Sequence, residues 1–149
     1  MRIAIASDHA GFNLKSTLAQ WLIDSEYDVI DLGTDSSARV DYPHYGAAVG
    51  HAVANGDADL GVAVCGSGQG IAMAANKVPG VRAGVIRTNE DAEMTRRHND
   101  ANVACFGEQF TDPDTAMEAL DTFLSTDFDG GRHETRVEQL AQLDDREPV

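Results

Sequence analysis

Cysteine and lysine are scarce in this sequence, and long apolar runs are missing from it. The 149 residues include two cysteines, Cys65 and Cys105, whose spacing matches no zinc-binding pattern. No stretch approaches the ~20 consecutive apolar residues that a membrane-spanning helix needs. The opening residues MRIAIASDHAG are typical of a strand and not of a secretory signal. We therefore expect a cytoplasmic protein with reduced thiols, no metal, no cofactor and no membrane partner.

Basic residues are also scarce. The chain has 11 Lys+Arg against 25 Asp+Glu, which gives a formal net charge of −14. Such a balance argues against a broad surface for phosphate backbones, so nucleic acid is not an expected partner. Lysine contributes Lys15 and Lys77 alone, and the acidic residues are spread along the chain. This pattern suggests a salt-adapted surface. An ordinary acidic soluble protein remains the alternative, because net charge bears on solubility and not on fold.

Five strand-length apolar runs alternate with helical patterns along the chain. The runs are Arg2–Ser7, Tyr27–Leu32, Leu60–Cys65, Arg82–Arg87 and Val103–Gly107. This alternation is typical of a parallel sheet with helices on both faces. Because the length fits one domain, we predict a single α/β domain over residues 1–149. Its expected architecture is a three-layer Rossmann-like α/β/α sandwich with five parallel strands in the order 2-1-3-4-5.

The C-terminal part of the chain departs from this alternation. The residues Asp112–Asp114 predict the start of a helix, with a proline just inside it. The stretch Thr126–Arg132 interrupts the pattern, and an extra amphipathic helix with Val137 and Leu140 is expected to follow. The sequence leaves open whether this last helix packs on its own subunit or reaches a partner chain.

Ligands of open α/β sheets bind beyond the carboxyl ends of the strands, where the strand order reverses. The first run is followed by Asp8 and His9, and the third ends at Cys65. In the expected order, strands 1 and 3 flank the reversal. Asp8, His9 and the loop after Cys65 are therefore predicted to lie together.

The most informative segment is the loop Cys65–Gly70, which reads CGSGQG. Its three glycines let backbone N–H groups converge on a phosphate or a developing oxyanion, at the positive end of the next helix. A helix N-terminus also stabilises a thiolate, so Cys65 is a candidate base or nucleophile. A tight turn and a small buried apolar side chain are the alternatives for the loop and for Cys65.

Spacing excludes three familiar loops. A dinucleotide-binding GxGxxG follows the first strand, whereas these glycines follow the third. A P-loop needs Gly-Lys-Ser/Thr, which is absent, and a cysteine-dependent phosphatase has an Arg where this chain has Ile71. In the expected strand order Cys105 is two strands from Cys65, about 10 Å away, so a disulfide between them is not expected.

Basic and imidazole groups near the ends of helices are further candidates. His98 closes a helix predicted from about Asn89, where capping of the helix end is the alternative to a functional role. Arg132 and Arg136 are four residues apart, so they lie on one helix face and can both hold a phosphate. Pairing with Glu134 or Glu138 is the alternative for these arginines.

The motifs together resemble the ribose-5-phosphate isomerase type B family, which includes galactose-6-phosphate isomerase subunits. They follow the order of that family from Met1 to about Leu143. The matching motifs are Ser7–Phe12, Asp41–Tyr45, Cys65–Gly68, Ala74–Lys77, Arg97–Asp100 and Gly130–His133. The resemblance implies a metal-free aldose–ketose isomerase that interconverts ribose 5-phosphate and ribulose 5-phosphate.

Catalytic roles follow from the resemblance alone. In the cysteine-type branch a thiolate moves a proton between C1 and C2 through an enediolate, and Cys65 occupies that position. Another branch uses a Glu after the glycine loop, where this chain has Ile71. The resemblance further implies that His98 opens the furanose ring with the help of Ser67, and that Asp8 binds sugar hydroxyls.

The resemblance also implies the groups that hold the substrate. Loop amides and Asn99 would stabilise the enediolate oxygens, as preorganised donors do, and two arginines with His9 would bind the phosphate. The implied substrate-binding residues are His9, Tyr42, Gly66, Gly68, Gly70, Asn99, Arg132 and Arg136.

Members of this family are dimers or tetramers with active sites at the subunit interface. A homodimer or homotetramer is therefore expected, in which the last helix delivers arginines to a neighbouring site. Other sugar phosphates remain alternatives as substrates, namely allose 6-phosphate, galactose 6-phosphate and tetrulose phosphates. A non-catalytic sugar-phosphate sensor is a further alternative.

Overall fold

Five parallel strands form the centre of the protein in the computed structural model, which describes residues 1–145. The last four residues of the predicted domain lie outside the described part. The strands are β1 (Arg2–Ser7), β2 (Asp28–Asp31), β3 (Leu60–Cys65), β4 (Ala83–Val85) and β5 (Val103–Gly107). The helices are α1 (Phe12–Asp24), α2 (Tyr42–Ala54), α3 (Gln69–Asn76), α4 (Asn89–Asn99), α5 (Pro113–Ser125) and α6 (Arg132–Gln142), followed by a short 3-10 helix (Leu143–Asp145).

The α/β class and the parallel sheet are confirmed, but the strand order differs from the prediction. The observed order is β2-β1-β3-β5-β4, so β5 and β4 exchange places relative to the expected 2-1-3-4-5. The reason is burial: every residue of β5 is buried, whereas the three residues of β4 are half-buried. The longer and more apolar strand therefore takes the inner position, and β4 becomes the edge.

Helices cover both faces of the sheet, as the alternation of side chains along the strands requires. Ile3 and Ile5 of β1 point into one cluster with the buried residues of α1, α4 and α5. Ala4 and Ala6 point into a second cluster with the buried residues of α2 and α3. Within the described residues, no helix is both long and apolar enough to cross a membrane.

The direction of each connection determines which loops meet. The sheet is parallel, so α1, α2, α3 and α5 begin at its carboxyl edge, each following a strand. In the same way α4 begins after β4 and ends before β5, at the amino edge of the sheet. The helix α5 also ends at the amino edge, and α6 follows it and packs against α4.

Candidate active site

Cys65 ends β3 at the carboxyl edge of the sheet. Its side chain is 4% exposed, and its Sγ accepts a hydrogen bond from the backbone N–H of Gly68 at 3.2 Å. Gly68 is the N-cap of α3, so the sulfur lies at the positive end of that helix. An amide donor and a helix N-terminus both stabilise negative charge on sulfur. The position therefore suits a thiolate that takes a proton from a bound molecule.

The glycine loop is shaped by close contacts. Gly68 has φ +79°, a left-handed conformation that favours glycine. A Cβ added at Gly70 would lie 2.6 Å from the Cζ atom of Tyr42, so the exposed Tyr42 ring lies directly over this glycine. The Ser67 hydroxyl accepts a hydrogen bond from the backbone N–H of Gln69 at 3.2 Å. The Gly66 carbonyl accepts one from Gln109 at 3.0 Å.

Asp8 and His9 follow β1, which pairs directly with β3. The backbone N–H of Asp8 donates to the Val64 carbonyl at 3.2 Å, and the buried Asp8 carboxylate accepts from Gly11 at 3.0 Å. The His9 Nδ1 atom lies 2.9 Å from the carbonyl oxygen of Val40. The structure thus brings Asp8, His9 and the Cys65 loop to the same edge.

A buried lysine supports the loop that contacts His9. Lys15 is 3% exposed, and its Nζ contacts both carboxylate oxygens of Asp31, at 3.0 and 2.9 Å. It also donates to the Thr34 carbonyl at 2.8 Å. These contacts hold the start of the loop between β2 and α2. Val40, which contacts His9, lies further along the same loop.

The remaining predicted residues lie elsewhere. His98 and Asn99 end α4 at the amino edge, and the half-buried His98 ring stacks on His133, with centroids 4.3 Å apart. His98 does not cap the helix: the Arg82 side chain donates to the Asn99 and Asp100 carbonyls instead, both at 3.0 Å. Asn99 is exposed.

Arg132 and Arg136 begin α6 beside this histidine pair. Both side chains are exposed, and neither forms a salt bridge within residues 1–145. The alternative of pairing with Glu134 or Glu138 is therefore not observed in that part of the chain. Two guanidinium groups one helical turn apart, with no carboxylate partner in residues 1–145, suit a phosphate.

One chain does not bring the two groups of residues together. The strand β3 has six residues, and at about 3.3 Å per residue its ends lie about 20 Å apart. Cys65 is at the carboxyl end of β3, whereas His98 ends α4 at the opposite edge of the sheet, just before the neighbouring strand β5. One subunit therefore does not bring the thiol together with His98 and both arginines.

The sequence predicted no role for His133 or Asp129. His133 is 8% exposed and packs on His98, and the carboxylate of Asp129 forms a salt bridge with Arg97 at 3.1 Å. The signal for His133 was its position directly after Arg132 in the Gly-Gly-Arg-His motif. The pairing of Asp129 with Arg97 spans 32 residues, so no local pattern indicates it.

The charges around the histidine pair shift two pKa values. Burial lowers the pKa of His133, and the nearby His98 and Arg132 lower it further. The hydrogen bond from Arg97 lowers the pKa of the Asp129 carboxyl. Near neutral pH these shifts favour a neutral His133 beside an ionised Asp129.

We expect acid to destabilise the fold through His133. Its folded-state pKa is below the ordinary value of 6.5, so the folded state binds this proton less readily than the unfolded state. Above pH 6.5 His133 is neutral in both states and the free energy of unfolding is unaffected. As the pH falls below that value, the unfolded state takes up the proton first and the free energy of unfolding decreases. Urea unfolding from pH 7.5 to about 5.5 should show a steeper loss for the wild type than for His133→Gln. Equal slopes for the two proteins would contradict this prediction.

The histidine pair with Asp129 is poorly arranged for a metal ion. Possible ligand atoms of His98, Asp129 and His133 lie within 4.8 Å of one another. The two rings are only 13° from parallel, and an imidazole nitrogen binds a metal in the plane of its ring. One ion cannot lie in two parallel planes, and Arg97 already pairs with Asp129. The geometry disfavours a metal here, and metal-free catalysis remains a prediction.

Cys105 is nearer to Cys65 than predicted, because β5 pairs directly with β3. Cys105 lies opposite Ala63, and Cys65 lies opposite Gly107, so the thiols are two register positions apart on one face. Both are free and buried. Full burial raises the pKa of Cys105, and the neighbouring Cys65 raises it further. Cys105 is therefore a protonated core residue.

Comparisons with known proteins cover nearly the whole chain. A family model described as "Ribose/Galactose Isomerase" matches residues 3–140. The chain is 43% identical to ribose-5-phosphate isomerase B of Escherichia coli, over 97% of each protein. A solved structure of ribose-5-phosphate isomerase B from Clostridium thermocellum has a TM-score of 0.96 at 46% identity, with 97% of each chain covered. Another from Mycoplasma genitalium, with bound ribulose-5-phosphate, has a TM-score of 0.91 at 38% identity, covering 96% of this chain and 95% of that one.

Proposed function

The chain belongs to the ribose/galactose isomerase family, and from this premise we propose that Cys65 is the base with which it interconverts D-ribose 5-phosphate and D-ribulose 5-phosphate. It is a sugar-phosphate isomerase, as its full-length relatives are. The observation that carries the mechanism is the contact between the Cys65 sulfur and the Gly68 amide at the N-terminus of α3.

The chemical step is a proton transfer between two neighbouring carbons. The Cys65 thiolate removes the proton from C2 of the open-chain aldose, and the electron pair of that bond forms the C1–C2 double bond of an enediolate. The C1 oxygen takes the negative charge and then gains the proton that the C2 hydroxyl gives up. The resulting thiol returns its proton to C1 through the electron pair of the C1–C2 double bond, which leaves the C2 oxygen as the ketone. Sulfur ends as it began, so no oxidant, metal or cofactor is consumed.

Donors around the glycine loop stabilise the enediolate. The amides of Gly66, Gly68 and Gly70 belong to the loop that follows Cys65. With the Gly68 amide that already contacts the sulfur, the other two stabilise the negative charge that develops on the C1 and C2 oxygens. Fixed amide dipoles stabilise such charge without reorganising. The Asn99 side chain is the further donor that the family resemblance implies.

Ring opening precedes this step, because the pentose phosphate is mostly a closed furanose. His98 protonates the ring oxygen, and Ser67 assists it. The Asp8 carboxylate binds sugar hydroxyls beside the Cys65 loop. Tyr42 contributes a wall over Gly70 against which the sugar packs.

Positive charge for the phosphate is concentrated on few groups. Arg132 and Arg136 bind the phosphate, with His9 as a further ligand through its Nε2 atom, since Nδ1 already contacts Val40. The surrounding net charge of −14 repels a dianion at long range, but salt screens exposed charges beyond ~8 Å. The acidic surface therefore does not exclude an anionic substrate.

The active site is composed of two copies of the chain. One copy contributes the residues at the carboxyl edge of its sheet, which include Cys65 and Asp8. A second copy contributes His98 and the α6 arginines. A two-fold axis repeats the same contact, so a dimer holds two equivalent sites. A homodimer or a homotetramer of such dimers, built from a single domain over residues 1–149 and located in the cytoplasm, is our proposal.

A substrate panel tests the function. Purified protein is incubated in D₂O with ribose 5-phosphate, allose 6-phosphate, galactose 6-phosphate or a tetrulose phosphate, at low and at high salt, and followed by proton NMR. We expect ribose 5-phosphate to be converted fastest, with deuterium appearing at C1 of ribulose 5-phosphate. Binding without any exchange at C1 or C2 would instead support the sensor alternative.

A further inference from the structure

The helix α1 lacks a cap of its own. Its N-cap residue is Gly11, which has no side chain to accept from the first amides, and no acidic residue lies in its first turn. Exposed amides at a helix start need an acceptor, and carboxylates suit them best. This helix directly follows Asp8 and His9, so the way it is held affects the carboxyl-edge site.

Glu108 supplies the missing acceptor from 94 residues away. Its Oε1 atom accepts a hydrogen bond from the backbone N–H of Leu14 at 2.6 Å. A carboxylate that accepts from an amide at a helix N-terminus makes a short, charge-assisted hydrogen bond. The side chain is half-buried, which limits competition from water.

The backbone of Glu108 is tied to the other half of the same site. Its N–H donates to the carbonyl of Cys65 at 3.0 Å, and the next residue, Gln109, donates to the carbonyl of Gly66 at 3.0 Å. These bonds continue the pairing of β3 with β5 beyond the end of both strands. One residue therefore contacts the segment that carries the thiol and the helix that follows Asp8.

We propose that Glu108 is a positioning residue that holds the turn carrying Asp8 and His9 in place relative to Cys65. The turn is bound at its start, where the Asp8 amide donates to Val64, and Glu108 binds it at its far end through Leu14. Small displacements between a base and the groups that orient the substrate are costly in rate. Glu108 touches no substrate atom in this proposal, which rests on the proposed isomerase function.

Three substitutions at this position test the role. Glu108→Ala removes the acceptor, and we expect kcat for ribose 5-phosphate to fall about tenfold or more, with KM changed much less. Glu108→Gln keeps an oxygen that accepts from Leu14, and it should retain most of the wild-type kcat. Glu108→Asp keeps the charge on a shorter side chain and should fall between the two, which keeps the test valid if the alanine variant fails to fold.

Asp112→Ala is the matched control. Asp112 caps α5 by accepting from the backbone N–H of Thr115 at 3.0 Å, so its loss removes a carboxylate cap without touching Cys65, Asp8 or α1. We expect this variant to lose thermal stability while keeping the wild-type kcat. A purely structural role of Glu108 would instead make the two alanine variants alike in both properties.

The outcomes separate this inference from the proposed function. A wild type that does not isomerise ribose 5-phosphate overturns the function itself. With an active wild type, a normal kcat in Glu108→Ala overturns the positioning role. Equal losses in Glu108→Ala and Glu108→Gln, or in Glu108→Ala and Asp112→Ala, overturn it as well.

Discussion

Replacing Cys65 with alanine is expected to lower kcat for ribose 5-phosphate by about 10²–10⁴-fold, the range for loss of a positioned acid–base group. Alanine has no atom that takes the proton from C2, and no other thiol can substitute because Cys105 is fully buried. The expected change in KM is small, since the arginines and loop amides that hold the substrate remain. Stopped-time assays with NMR detection of ribulose 5-phosphate measure both constants.

Cys105→Ala is the control for this substitution. Cys105 lies in the same buried cluster as Cys65, but it faces the core and its raised pKa keeps it protonated. We expect its replacement to lower thermal stability through the small cavity it leaves, with kcat close to that of the wild type. Near-equal rates for Cys65→Ala and the wild type would contradict the role of Cys65 as the base.

The sequence allowed most of the fold to be predicted, because strands and helices depend on local patterns. β1, β3 and β5 have the predicted bounds, and Asp112 caps α5 where its proline indicated. The exchange of β4 and β5 was not predicted, because strand order depends on which strand buries more surface. The arginines at both ends of the run Arg82–Arg87 are a signal for an edge strand that could have indicated it.

The candidate site, like the fold, could be predicted only in part. Asp8, His9 and Cys65 follow or end neighbouring strands, so the general rule for α/β sheets was enough to group them. His98 lies at the amino edge because α4 connects two parallel strands, so it begins at the carboxyl edge and ends at the amino edge. Two contacts join residues that are far apart in the chain, Glu108 with Leu14 and Asp129 with Arg97. No local sequence pattern predicts such contacts.

The family resemblance supplied roles that the residues alone left open. Residue types and spacing made Cys65 a candidate base and the α6 arginines a candidate phosphate site, but they did not connect the two. The separation of about 20 Å along β3 gives a physical reason why a second copy is needed. The last helix, which lay outside the predicted alternation, is the element that would carry the arginines to it.

A mixing experiment tests the shared site most directly. Cys65→Ala removes the base and His98→Asn removes the ring-opening group, so each variant alone is expected to have very low activity. The two are mixed in equal amounts, unfolded and refolded together, with each variant refolded alone as the control. Light scattering on every sample reports whether oligomers have formed.

In a shared site, Cys65 and His98 come from different copies. A site is intact when the copy that supplies Cys65 is the His98→Asn variant and the copy that supplies His98 is the Cys65→Ala variant. Random assembly satisfies both conditions in about a quarter of the sites of a symmetric oligomer. The mixture should therefore recover about a quarter of wild-type activity. A mixture that stays at the level of its two parents, or a wild type that is fully active as a monomer, would contradict the account.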